Sequence, residues 1–573
     1  ARVAGAPGDS AAAPAAAPAA APAAAARAAV TVKIDFDGLA SRIISVPGVA
    51  SRTYSRLKSG SAGTVFLSEA LPATGTGGVG AGQTLHRYQL RDRRATVFVS
   101  GIADFDVSND GRKLLYRSGG GGGGGGGAPG AGGPVAPSLF IVDATAGPPQ
   151  AGAGRLNASL RAWIDPKAEF SQIFDEGWRN QRDYLYVTNA HGADWPRMKS
   201  MYGALLPFVN HRADLNYLMD QMGAEIAIGH SYVRGGDMPA VPTNTGGQLG
   251  ADFAVDQGRY RITRIYHNES WNTELRAPLA VPGVDVRVGD YLIAVNGEEL
   301  RTPDNIYRML DGTAGRQTVL LVNDRPVAEG ARRVTVIPVA SDQGLRSRAW
   351  VEHNRRTVDS LSKGKLAYVH LPNTGQPGYT SFNRYYFAQQ DRQGAIIDER
   401  FNGGGSAADY IIDVLQRDFD GYFNNVAGSR MPFTSPAAGI WGPKVMIINE
   451  QAGSGGDLMP WMFKHRKIGT LVGKRTWGGL VHTADTPGFI DGGSMIAPRG
   501  GFFRRDDKWD VENVGTPPDV DVENFPKEVA AGRDPQLERA VQEALRQLEA
   551  KPVQRATREP PAPTWGRRVK PLP

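Results

Sequence analysis

The sequence contains no cysteine among its 573 residues. This absence excludes disulfide bonds, thiolate nucleophiles, cysteine-ligated zinc and iron–sulfur clusters. Long hydrophobic runs are also missing, because the only extended weakly apolar stretch is rich in alanine and is interrupted by Pro14, Pro18 and Pro22. Prolines at this spacing break a helix, and alanine is too weakly hydrophobic for a membrane span. We therefore predict an Ala/Pro-rich linker over residues 1–29 and no membrane partner.

Basic residues only slightly outnumber acidic residues. The 65 Lys and Arg residues against 58 Asp and Glu residues give a net charge of +7, diluted over a long chain. This favours solubility over nucleic-acid binding, so no nucleic-acid partner is expected. The first residue is Ala, and no charged segment followed by an apolar core and a cleavage site is visible. We therefore expect a cytoplasmic protein, with a periplasmic or secreted one as the alternative.

The length predicts about three to five domains, and the pattern along the chain predicts a multidomain α+β and α/β protein. Residues 30–145 carry short β-type runs with a hairpin turn at 108–111, which we interpret as partial β-propeller blades, a truncated propeller. The nine-glycine run at 119–127 is predicted to be a flexible loop. Residues 157–245 show helical periodicity and predict a helical subdomain.

Residues 350–550 alternate strand-like apolar runs with glycine-rich turns and helices, which predicts an α/β core with a buried sheet. The Pro- and Arg-rich residues 551–573 are predicted to be a disordered tail. Between these regions, residues 246–340 form a β-rich module in which the run GDYLIAVNG resembles a PDZ domain. The alternative is a generic β-meander. The resemblance implies a loop that binds a peptide C-terminus through backbone amides: Gly247, Gln248, Leu249 and Gly250.

The run KVMIINEQAGSGGD, which begins at residue 444, predicts a strand, a tight turn and a helix, with Ser454 in the turn. It resembles the nucleophile elbow G-x-S-x-G with Ala452 in the first position. The amide of Gly455 would lie at the helix start, where unpaired donors favour an oxyanion. The alternative is that Ser454 only caps the helix. A second oxyanion donor could come from the FNGGG loop at 401–405, and a flexible βα loop is the alternative there.

A serine needs a base and an orienting carboxylate. The contexts of the nine histidines leave four candidate bases, which are His230, His353, His370 and His482. Among these His230 lies where an apolar strand opens into a glycine-rich loop, although a lone histidine there is more often structural. Glu512 is the preferred carboxylate. The other candidate, Asp457, lies in the first turn of the predicted helix, where the helix dipole alone explains an acidic residue.

Five motifs occur in a fixed order: GHSY followed by GGD, the PDZ-like module, FNGGG, NEQAGSGGD and VENVGTPPD. This order resembles the tricorn-type serine proteases, relatives of the C-terminal processing peptidases. The resemblance covers residues 157 to about 525, and residues 30–145 resemble the end of the propeller that precedes this core in the family.

The resemblance implies that Ser454 attacks, that His230 is general base and then acid, and that Glu512 completes the proton network. It places the oxyanion hole on Gly455 and one of Gly404 or Gly405. Family members carry a serine immediately before the histidine to connect it to the glutamate. This chain has Gly229 at that position, with Ser231 after the histidine.

The predicted function is therefore a serine peptidase acting on oligopeptides or unfolded protein, without a metal or other cofactor. The resemblance also implies a homo-oligomer, a hexamer. The alternative is a non-catalytic scaffold in which the PDZ groove binds peptide ends.

Overall fold

The computed structural model describes residues 35–37, 42, 45–69, 83–118, 138–157, 163–239, 241–242, 244–267, 269, 272, 275–426, 432–484, 486–553 and 559–561. The predicted linker at 1–29, the glycine run at 119–127 and most of the predicted tail at 551–573 lie outside these residues. No helix within the described ranges is long and apolar enough to cross a bilayer.

The N-terminal part is one antiparallel sheet whose six strands pair in sequence order. The strands are β1 Tyr54–Ser59, β2 Thr64–Glu69, β3 Gln83–Gln89, β4 Arg94–Val107, β5 Lys113–Ser118 and β6 Leu139–Asp143. The predicted hairpin at 108–111 joins β4 to β5. The predicted separation into four-stranded blades is not seen in the described residues, because the first part of the long β4 pairs with β3 and its second part with β5. The propeller assignment is therefore not confirmed.

Three helices follow: α1 Pro166–Tyr184, α2 Trp195–Gly203 and α3 Arg212–Ala224. The side chain of Asp165 caps α1 by accepting from the amides of its first turn. The apolar core of these helices also contains Phe489 and Met495, which come from far along the chain. After α3, Val233–Arg234 (β7) pairs with Ser494–Met495. This packing places residue 230 beside the C-terminal half of the chain.

The PDZ-like module contains a sheet ordered β13-β12-β10-β9-β8, in which β8 is an edge strand and β11 pairs with β10. Its elements are β8 Ala251–Asp256, β9 Arg259–Ile265, β10 Tyr291–Val295, β11 Glu298–Glu299, α4 Ile306–Met309, β12 Thr318–Asn323 and β13 Arg332–Val336. The predicted GDYLIAVNG run forms β10 and the turn after it, and β10 is buried along its whole length.

The C-terminal part is a parallel sheet ordered β14-β15-β18-β19-β23 and covered by helices. Its elements are α5 Gln343–Ser362, β14 Leu366–His370, α6 Gln376–Phe387, β15 Gly394–Asp398, α7 Ala408–Leu415, β16 Gly421–Phe423, β17 Phe433–Ser435, β18 Lys444–Ile448, α8 Gly455–His465, β19 Thr470–Gly473, β20 His482–Thr483, β21 Ser494–Met495, β22 Pro498–Gly500, β23 Val520–Asp521, α9 Pro526–Ala530 and α10 Pro535–Ala550.

Every residue of β14, β15 and β18 is buried, as expected of parallel strands with helices on both faces of the sheet. The loops that leave the carboxyl ends of these three strands contain residues 371–375, 401–405 and 449–454. Parallel strands end at the same edge of a sheet, which is where ligands bind in open α/β folds. The glycine loop and the serine turn therefore meet at one edge.

Candidate active site

Ser454 lies in the turn between β18 and α8. Its backbone has φ 59° and ψ −118°. A residue with a side chain adopts such a conformation at a cost of about 1–3 kcal/mol, and strained residues of this kind cluster at functional sites. The Ser454 side chain is partly exposed, whereas its neighbours Gly453 and Gly455 are buried. The turn thus presents a hydroxyl at the sheet edge, as the sequence predicts.

The carboxylate of Asp457 holds this turn in place. It accepts from the Ser454 amide at 2.8 Å, from the Gly478 amide at 2.7 Å and from the Gly479 amide at 3.0 Å. The Thr476 hydroxyl donates to it as well. Burial raises the pKa of Asp457. Asp457 therefore ties the serine turn to residues 476–481, which we call the 476–481 segment.

The glycine loop packs directly on Ser454. A methyl group added at Gly404 would lie 2.6 Å from the Ser454 Cβ and 3.0 Å from its Oγ. The Gly404 amide donates to the Asn402 side chain at 2.9 Å. The amides of Gly405 and Gly455 donate to no group in the described ranges. Of the two glycines expected to supply the second oxyanion donor, Gly405 therefore has the free amide.

His230 has two aromatic neighbours. The ring centroids are 5.6 Å apart for His230 and Trp477 and 5.9 Å apart for His230 and Tyr232. The Nδ1 atom of His230 is buried and has no hydrogen-bond partner among the described protein groups. Burial lowers the pKa of His230, and the nearby charges of Glu512 and Asp457 act in the opposite direction. A low pKa keeps the imidazole neutral near pH 7, which a general base requires.

Glu512 is fixed by backbone donors. Its Oε1 accepts from the Gly229 amide at 3.0 Å, and its Oε2 accepts from the amides of Leu480 at 2.6 Å and Val481 at 2.9 Å. Three backbone amides thus hold both carboxylate oxygens in place. Glu512 thus binds both the residue before His230 and the 476–481 segment.

The 476–481 segment connects the parts of the chain that contain His230, Ser454 and Glu512. The Ser454 amide donates to the Gly479 carbonyl at 3.0 Å. On the other side, a methyl group at Gly229 would lie 3.2 Å from the Gly479 Cα and 3.3 Å from the Glu512 Oε1. The structure therefore brings the neighbourhoods of residues 230, 454 and 512 to one place.

Ser231 does not supply the hydroxyl that Gly229 lacks. Its Oγ accepts from the Gln181 side chain at 2.9 Å, and it would contact a methyl group at Gly223. These contacts turn Ser231 toward α1 and α3.

The other three candidate bases occupy different environments. His353 is exposed on α5, and His370 is buried at the end of β14 with its ring 5.0 Å from Trp350. His482 is exposed on β20 and lies close enough to His230 to lower its pKa. Gly229 before His230 and Val481 before His482 both donate to Glu512, and of these two histidines His230 is the less exposed and packs on Trp477.

The PDZ-like module has a groove of about 670 Å³ that is lined by β8, α4 and the start of α5. Two amides of the predicted carboxylate-binding loop are already used within the module. The Gly247 amide donates to the Leu310 carbonyl at 2.8 Å, and the Gln248 amide donates to the Val339 carbonyl at 2.7 Å. Leu249 and Gly250 are the other two residues of that loop.

Sequence reasoning missed the 476–481 segment and the structural role of Asp457. The available signal was the dipeptide Gly478-Gly479 after Trp477, since paired glycines beside a large aromatic residue indicate close backbone packing. Across the described ranges, no group of three or more His, Asp or Glu side chains is arranged to hold a metal ion.

Comparisons with known proteins match three parts of the chain to families. Residues 166–224 match the tricorn protease C1 domain, residues 247–341 match the tricorn protease PDZ domain, and residues 365–522 match peptidase family S41. The first match covers the three helices, and the third contains Ser454, Glu512 and the glycine loop.

The chain is also similar to longer proteins. "Tricorn protease homolog 1" of Streptomyces coelicolor is 34% identical over 538 residues, which cover 91% of this chain and 48% of that protein. The "Putative Tricorn-like protease C-terminal subunit" of Sulfurisphaera tokodaii is 31% identical over 537 residues, which cover 91% of this chain and 58% of that protein. The chain spans about half the length of the curated relatives it matches.

A solved structure has the same fold. The crystal structure of the tricorn protease superposes with a TM-score of 0.73 at 27% sequence identity, covering 87% of this chain and 46% of the other. Together with the three family matches, this similarity confirms the resemblance carried by the five ordered motifs. The chain belongs to the tricorn-type serine proteases.

Proposed function

We propose that this chain hydrolyses oligopeptides through an acyl-enzyme formed on Ser454. The observation that carries the proposal is the strained turn at Ser454, which lies against the glycine loop and is linked through the 476–481 segment to His230 and Glu512. The proposed nucleophile, base and donors thus lie in turns and loops that are connected to one another by hydrogen bonds and packing. The family relatives named as proteases support the same chemistry.

In the first step, the Ser454 Oγ attacks the carbonyl carbon of the scissile peptide bond, and its proton passes to the imidazole of His230. The carbonyl oxygen becomes an oxyanion. The amide of Gly455 and an amide of the glycine loop donate to it, and we favour Gly405 because the Gly404 amide donates to Asn402.

In the second step, the peptide C–N bond breaks and the imidazolium of His230 gives its proton to the leaving amine. A water molecule then attacks the ester carbonyl and passes a proton to His230. The bond to the Ser454 Oγ breaks, His230 returns the proton to that oxygen, and the acid is released. The charge of Glu512, fixed by three amides, stabilises the imidazolium in both half-reactions.

Four further properties stay predictions for this chain. Peptides or unfolded proteins are the expected substrates, and a hexamer is the expected assembly. The N-terminal sheet is expected to be part of a propeller that filters access, and the cytoplasm is the expected location.

A fluorophosphonate probe tests the proposal, because an activated serine displaces fluoride from phosphorus and keeps the phosphonyl group. We expect one label per chain, mapped by peptide mass spectrometry to Ser454, and no label on heat-denatured protein. The non-catalytic scaffold would instead bind C-terminal peptides in the PDZ groove without labelling. Absence of labelling by native protein, or a label on another serine, would contradict the assignment.

A further inference from the structure

We propose that Trp477 is the positioning residue that sets the orientation of the His230 imidazole. This inference rests on the proposed function, in which His230 is the base. The indole and imidazole centroids are 5.6 Å apart and their planes are inclined by 44°, so the two rings pack against each other. Trp477 is 44% exposed, so part of the indole faces solvent beside the serine turn.

The backbone around the indole leaves room for it. A methyl group at Gly479 would lie 2.3 Å from the Trp477 Cζ3, one at Gly453 would lie 2.6 Å from its Cε3, and one at Gly229 would lie 3.3 Å from its Cη2. None of these three glycines has a positive φ. Their missing side chains therefore provide space for the indole and do not serve an unusual backbone conformation. The three glycines belong to three different parts of the site.

Trp477 is also fixed relative to the nucleophile. Its amide donates to the Ala452 carbonyl at 2.8 Å, two residues before Ser454. The residues on both sides of it, Thr476 and Gly478, donate to Asp457. The Arg475 guanidinium donates to the Trp477 carbonyl at 3.3 Å. The indole therefore transmits the position of the serine turn to the imidazole.

The imidazole needs the indole to fix its orientation because its Nδ1 makes no hydrogen bond that would do so. Nδ1 is buried without a hydrogen-bond partner among the described protein groups, Gly229 carries no hydroxyl, and the Ser231 hydroxyl accepts from Gln181. A hydrogen bond at Nδ1 is what ordinarily fixes the orientation of a catalytic histidine. Here the imidazole instead has two aromatic neighbours, Trp477 with its centroid 5.6 Å away and Tyr232 with its centroid 5.9 Å away.

The test compares Trp477→Phe and Trp477→Ala with the unchanged chain. A misplacement of about 1 Å at a reacting group costs on the order of 10²-fold in rate, so we expect Trp477→Ala to lower kcat by about 10²-fold with a smaller change in KM. Trp477→Phe keeps an aromatic ring in the space that Gly229, Gly453 and Gly479 leave for the indole, and it should recover a large part of kcat. Rates are normalised to the fraction of chains that the fluorophosphonate probe labels.

A second readout does not depend on catalysis. Burial lowers the pKa of His230, and the facing charges of Glu512, Asp457 and His482 are unchanged in the variants. Removing the indole hydrates the imidazole, so the pKa of His230 should rise in Trp477→Ala and stay low in Trp477→Phe. NMR titration of ¹³C-labelled histidine, with the His230 signal assigned from its loss in His230→Gln, measures this shift. In Trp477→Ala, the acidic limb of the pH profile of kcat/KM should move to higher pH in parallel with the pKa of His230.

Trp441→Ala is the matched control. Trp441 also packs on a glycine, because a methyl group at Gly439 would lie 2.5 Å from its ring, and it precedes β18 at the edge of the sheet opposite Ser454. This variant should keep both kcat and the His230 titration. If Trp477→Ala does not fold, Trp477→Leu fills part of the space without a ring and is expected to show a loss of kcat in the same direction, with a smaller rise in the pKa of His230.

An unchanged kcat together with an unchanged His230 titration in the ring-deleted variant would overturn the positioning role. Failure of the proposed function looks different. The unchanged chain would then neither label nor hydrolyse peptide, while the NMR titration would still report whether Trp477 controls the environment of His230.

Discussion

Ser454→Ala is expected to lower kcat for peptide hydrolysis by on the order of 10⁶-fold, with little change in substrate binding. The alanine keeps the backbone turn and the free Gly455 amide but has no oxygen to attack the carbonyl. The residual rate would come from the oxyanion donors and substrate binding alone. Steady-state kinetics on a fluorogenic peptide measures the change.

Ser360→Ala is the control for this variant, because Ser360 is exposed on α5 and away from the sheet edge that carries Ser454. It should hydrolyse peptide at the rate of the unchanged chain. Hydrolysis that survives in Ser454→Ala, in a preparation free of other peptidases, would refute Ser454 as the nucleophile.

Glu512→Gln is expected to lower kcat by on the order of 10⁴-fold, the size of effect seen when the orienting carboxylate of a triad becomes an amide. Both oxygens of Glu512 accept from backbone amides. A glutamine must turn its NH₂ group toward Gly229 or toward the Leu480 and Val481 amides, where two donors would oppose each other. The change therefore removes the charge and disturbs the 476–481 segment.

Glu523→Gln provides the comparison, since Glu523 lies 3.5 Å from Lys474 at a partly exposed site and contacts none of the proposed catalytic residues. The measurement is kcat as a function of pH for both variants. A Glu512→Gln protein that keeps kcat within tenfold of the unchanged chain would show that the imidazole works without this carboxylate.

Much of the fold could be predicted from local pattern. The apolar runs at 365–371, 394–400 and 444–449 became β14, β15 and β18, because continuous apolar strands between glycine-rich turns belong in a buried parallel sheet. The turn at Ser454 was also predictable from local pattern, because small residues between a strand and a helix permit a strained backbone.

The long strand β4 shows where local pattern is insufficient. Two short β runs around Gly101 form a single strand that pairs with β3 on one part of its length and with β5 on the other. Pairing across a sheet depends on distant partners, so no periodicity within one run could predict it. This is why the division into blades was not confirmed.

From the residues alone, the choice of the catalytic histidine could be reduced only to four candidates. The positions of His230 and Glu512 depend on long-range contacts, namely the pairing of β7 with β21 and the hydrogen bond from the Gly229 amide to Glu512 at 3.0 Å. Spacing along the chain contains no information about such contacts. The resemblance to a family supplied what the pattern could not.

The most direct measurement is a crystal structure of the chain after reaction with a fluorophosphonate. We expect the phosphorus on the Ser454 Oγ, the phosphonyl oxygen about 2.7–3.1 Å from the Gly455 amide, and the His230 imidazole within hydrogen-bond reach of the Oγ. An adduct on Ser454 with the His230 imidazole more than about 8–10 Å from the Oγ, well beyond that reach, or an adduct on any other residue, would contradict the account.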